Sequence, residues 1–69
     1  MPDDVFVHLS LTGTYMLMGR EKEAQAEAAE VLRINPRFSL DHLARTAMAN
    51  MDPSEREQAL SRLRKAGLQ

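Results

Sequence analysis

The chain has 69 residues, no cysteine and a formal net charge of −1. Those three facts exclude a disulfide framework and a thiolate metal site, argue against a dedicated nucleic-acid surface, and leave room for one small domain of modest core. No apolar run approaches the ~20 residues that span a bilayer. The start, MPDDVFV, is acidic where a secretory signal is basic. A cytoplasmic setting without membrane contact is the expectation by elimination.

Met1 to Asp4 reads as a short lead-in, with Asp3 or Asp4 able to cap the first helix. That helix is expected over Val5 to Met18. His8, Leu11, Tyr15 and Met18 form one stripe on it; Phe6, Leu9, Gly13, Met16 and Leu17 form a second. A helix apolar on more than one side is normally covered on more than one side, and one following helix covers only one stripe.

Gly19 sits where a left-handed residue closes a helix. Glu21 to Ile34 restarts the helical period, with Glu21 and Glu23 at its start and Arg33 near its end, each on the favourable side of the dipole. Ala24, Ala28 and Val31 make a stripe of small residues that lets two helices approach closely. Glu23, Glu27 and Glu30 read as a solvated outer face. Pro36 ends the segment.

Ser39 is a good N-cap for a third helix, expected over Leu40 to Met51 from the spacing of Leu40, Leu43, Ala44, Ala47, Met48 and Met51. Asp52, Pro53 and Glu55 give the strongest helix start in the chain. Ala59, Leu60, Leu63 and Ala66 form the inner stripe of this fourth helix. Gly67 closes it, and Leu68 is placed to fold back onto it.

A shift of about 35 residues sets Ala24, Ala28 and Val31 on Ala59, Leu63 and Ala66, so the second half echoes the first in units of roughly 34 residues. His8, Leu11, Thr12, Tyr15, Gly19, Ala24, Ala28, Val31 and Pro36 fall at the spacing of the tetratricopeptide repeat (TPR) family, which the chain resembles. Leu11, Tyr15, Ala24 and Pro36 match its pattern outright. His8 stands for an aromatic residue, Thr12 for a smaller one and Ala28 for a larger ring. The resemblance implies an all-α fold of two antiparallel helical hairpins with right-handed superhelical stacking, residues 5–38 being a repeat and 39–69 a degenerate or capping hairpin.

The tail, with Pro36, Phe38, Ser39, Leu63, Ala66, Gly67 and Leu68, resembles the closing segment of bacterial TPR proteins linked to cyclase or winged-helix domains. That likeness implies an alternative role as the C-terminal regulatory module of a larger signalling or transcription-regulating protein.

Nothing in the sequence suggests catalysis or a cofactor. His8 and His42 lack the convergent ligands a metal needs, and no serine has a His–Asp arrangement to activate it. Arg56, Arg62, Arg64 and Lys65 read as dipole complementarity on the last helix. The chain is therefore expected to be a non-catalytic protein–protein interaction module.

The resemblance puts Phe6, Leu9, Ser10, Gly13, Met16 and Leu17 on a partner groove. Some members clamp a terminal carboxylate there with Lys, Arg and Asn. This chain has none at those positions, so an amphipathic helix or another copy of the chain fits better. A face that packs on a preceding repeat explains the same stripe equally well. Leaving the stripe in water costs a small domain several kcal/mol at ~25 cal/mol per Å². A homodimer through the first helix is expected in isolation.

Overall fold

Two glycines with left-handed backbone, Gly19 (φ 75°) and Gly67 (φ 113°), close the first and the last helix of the chain. The structure is a computed structural model that describes residues 4–69. Among these residues the chain is all-helical, with α1 over Val5–Leu17, α2 over Glu21–Ile34, α3 over Leu40–Arg45 and α4 over Pro53–Lys65. Asp3, one of the two expected caps, lies outside the described residues. Asp4 performs that role, its Oδ1 accepting from the Phe6 amide at 2.9 Å.

Both glycine closures use the same pair of bonds. At the end of α1 the Gly19 amide donates to the Met16 carbonyl and the Arg20 amide to the Tyr15 carbonyl. At the end of α4 the Gly67 amide donates to the Arg64 carbonyl and the Leu68 amide to the Leu63 carbonyl. This double closure satisfies carbonyls that a helix end leaves unpaired. It also folds the residue after the glycine back onto the last turn. Leu68 is thereby fully buried. Arg20 occupies the equivalent place on α1, where its guanidinium lies over the Tyr15 ring, 5.7 Å from the centroid. A cation on an aromatic face replaces the usual apolar contact.

Ser39 and Asp52 cap α3 and α4 as their sequence contexts suggest. The Ser39 hydroxyl accepts from the His42 amide at 3.3 Å, and Asp52 Oδ2 from the Ser54 and Glu55 amides at 3.0 and 3.4 Å.

The third helix corrects the expectation. It ends at Arg45, and the chain runs from Thr46 to Asn50 in turns. Thr46 is the point of departure. Its hydroxyl donates to the His42 carbonyl at 2.8 Å and its amide is shared between the His42 and Leu43 carbonyls. Its backbone (φ −109°, ψ −83°) has left the helix. A Thr that bonds back to the turn before it competes with helix continuation. The apolar spacing still marks inward positions: Leu40 and Leu43 are buried, and Ala44 and Met48 pack against the core. Met48 arrives there through a turn, its amide donating to the Leu43 carbonyl.

The core joins all four helices. Leu9 of α1, Ala24, Ala28 and Val31 of α2, Leu40 and Leu43 of α3, and Leu60 and Leu63 of α4 meet there, with Ala66 and Leu68. α1 packs most extensively on α2, and also on α4; α3 packs on α4. The small residues of α2 allow the close α1–α2 approach. Thr12 sits fully buried on α1, its hydroxyl donating to the His8 carbonyl at 2.7 Å, so that no polar atom is stranded.

Candidate functional site

α1 is helical without a single Asp, Glu, Lys or Arg between Val5 and Leu17. Its inward side is covered by α2 and the core. Its remaining apolar side forms one wall of a groove of about 460 Å³. Phe6, Leu9, Ser10, Gly13, Thr14 and Leu17 supply that wall. Leu43 and the turn residues Ala47 and Met48 supply a second, and Ala59, Arg62 and Leu63 of α4 the third. Phe6 is 61% exposed and Leu17 69%, which is high for such large apolar side chains.

The residues expected on this face divide in three. Phe6, Ser10, Gly13 and Leu17 line the groove. Leu9 lines it too, yet is only 8% exposed and belongs mainly to the core. Met16 is not among the lining residues; it is half-buried and packs against the core. The repeat-pattern positions fall elsewhere. Thr12, Ala24, Ala28 and Val31 are buried, His8, Leu11 and Tyr15 half-buried, and Gly19 and Pro36 lie in the turns that follow α1 and α2.

Glu27 corrects the reading of a solvated glutamate face. It is half-buried, and its Oε1 lies 2.6 Å from His8 Nδ1. Glu23 and Glu30 are more open, with 44% and 40% of the side chain exposed, and accept from Arg20 and Arg33.

The basic residues of α4 do not act as one cluster. Arg62 is half-buried in the groove wall. Arg56 and Arg64 line a separate depression with Ser39, Asp41, Glu57 and Gln69. The third groove wall is not legible in the sequence, because it depends on α4 reaching α1 across the chain. The only local signal of the second was Met48, an apolar residue beyond the true end of α3.

Among the described residues no cluster of His, Asp or Glu could hold a metal ion, and no helix is long and apolar enough to cross a membrane. The fold and site define an all-helical protein with an open apolar groove. No protein-family model, curated protein or solved structure matches this chain.

Proposed function

We propose that the chain is a non-catalytic protein–protein interaction module of TPR type, which docks a protein or peptide partner in the groove beside α1. The observation that carries this reading is the exposure of Phe6 and Leu17 on one wall of an apolar groove. Covering a Phe or Leu side chain contributes about 1.5–3 kcal/mol each, which favours an occupant. Met48 on the opposite wall has the unbranched, polarisable side chain that adapts to a partner's shape.

The TPR-type architecture draws support from the first helix pair. His8 in the first turn of α1 meets Glu27 in the middle of α2, while Tyr15 near the end of α1 meets Arg20 just before α2 begins. These two contacts support the reading of residues 5–38 as an antiparallel hairpin. In the same reading the shortened α3 and α4 form the degenerate closing unit, since terminal repeats are atypical. The resemblance of the tail adds a bacterial setting, and a cytoplasmic one is the expectation by elimination.

The test immobilises the wild-type chain and a Phe6→Glu/Leu17→Glu variant and identifies by mass spectrometry what each retains. At least one identified protein, or the chain itself, is expected on the first and not on the second. Equal retention by both would sink the reading.

A further inference from the structure

Four groove residues of α1 share a symmetry that their own chain does not use. Phe6, Ser10, Gly13 and Leu17 recur at intervals of four, three and four, which holds them on one side of a helix. Their order is large, small, small, large. It reads the same in either direction about the midpoint between Leu11 and Thr12.

Gly13 adds a separate observation. It lies inside α1 with no positive φ, and a Cβ built on it meets nothing within 4 Å. Neither backbone conformation nor internal packing accounts for a glycine here, and glycine weakens a helix relative to alanine. Open space above it, between two large exposed side chains, is where a second backbone can come close.

We infer that the groove takes α1 of a second copy of this chain, laid antiparallel across a two-fold axis at the level of Leu11 and Thr12. This rests on the reading of the groove as a docking surface and names its occupant. In that register Phe6 of each copy meets Leu17 of the other, and Ser10 of each meets Gly13 of the other. A two-fold contact requires such self-complementarity, residue i touching j while j touches i. An unrelated partner helix gives no reason for it.

Charge at the ends sets the same direction. The carboxylate and guanidinium that flank α1 are Asp4 just before it and Arg20 just after it, both exposed, Arg20 also donating to Glu23. Antiparallel copies bring Asp4 of each to the level of Arg20 of the other, whereas parallel copies set like against like. The helix dipoles are opposed as well. A helix of 13 residues gives a seam of about 20 Å. That is short for the ~800 Å² per partner of a stable interface, so the dimer is a reversible one.

The chain has no cysteine, so an introduced thiol is unique. Phe6→Cys and Leu17→Cys variants are made separately, mixed and oxidised gently. In an equal mixture the mixed disulfide is expected to make up well over the half of all disulfide that random pairing gives. Sedimentation equilibrium of the wild type is expected to show a reversible dimer whose dissociation constant Phe6→Glu raises about tenfold or more, with helical circular dichroism unchanged. Gly13→Ala separates interface from folding, since it weakens the dimer without lowering thermal stability at dilution. A wild-type chain that stays monomeric, or a mixed disulfide at or below half of the total, overturns the proposal. If the chain stays monomeric while an identified protein is still lost with Phe6→Glu, the second-copy proposal fails and the docking reading stands. If both are absent, both fail.

Discussion

His8 Nδ1 lies 2.6 Å from Glu27 Oε1, and the contact ties the first turn of α1 to the middle of α2. Both side chains are about four-fifths covered, with 20% and 22% exposure, so water replaces the bond poorly when either is cut away. A double-mutant cycle of His8→Ala and Glu27→Ala, followed by urea denaturation, is expected to give a coupling of about 1 kcal/mol. Strictly additive effects would show that the two groups are neighbours without mutual stabilisation.

Leu68 and Gly67 act together. Leu68 is fully buried and reaches the core only because Gly67 takes a left-handed turn. Leu68→Ala is expected to cost about 2–5 kcal/mol, a large part of what so short a chain commands. Gly67→Ala is expected to cost about 1–2 kcal/mol through backbone conformation, since its Cβ would meet nothing. Thermal unfolding should therefore rank Leu68→Ala below Gly67→Ala, and the reverse order would contradict the packing described.

Gly13→Ala should move stability the other way. With ordinary helical backbone and open space at its Cβ, the substitution is expected to raise the stability of the dilute chain by about 0.5–1 kcal/mol. A loss measured by chemical denaturation at low concentration would mean that the site is occupied within the chain.

Thr12 tests how closely α1 is seated. It is fully buried and its hydroxyl is already satisfied by the His8 carbonyl. Thr12→Val keeps the shape and drops a bond to a carbonyl in the same helix, so a change of about 1 kcal/mol or less is expected. Thr12→Leu adds volume to a closed position and is expected to destabilise by about 1–3 kcal/mol. Equal denaturation midpoints for the two variants would show that the site has slack.

Much of the helical framework was legible because it rests on local chemistry. Gly19, Ser39, Asp52–Pro53 and Gly67 all mark helix ends within a few residues of themselves, and the observed caps and closures use those side chains and backbones. The end of α3 was not, since the apolar spacing from Leu40 to Met51 continues past Thr46 while the backbone does not. Spacing records which residues face inward, and a turn can bring Met48 inward as well as a helix can. The first groove wall followed from apolar residues left over on α1. Arg62, Ala59 and Leu63 could not be joined to it, because nothing near them in the sequence announces contact with a helix some fifty residues away. Glu27 was misjudged for the same reason, its partner lying on another helix.

The early end of α3 has a mechanical consequence. Ala47 and Met48 stand in the groove wall on a stretch whose amides bond only to near neighbours in turns. Shifting that stretch outward breaks no helical ladder and gives up the core contact of Met48 alone, whereas moving α1 or α4 gives up buried leucines. The groove therefore has two fixed jaws and one compliant lip, and differences in the girth of whatever enters it are taken up at Thr46 to Asn50.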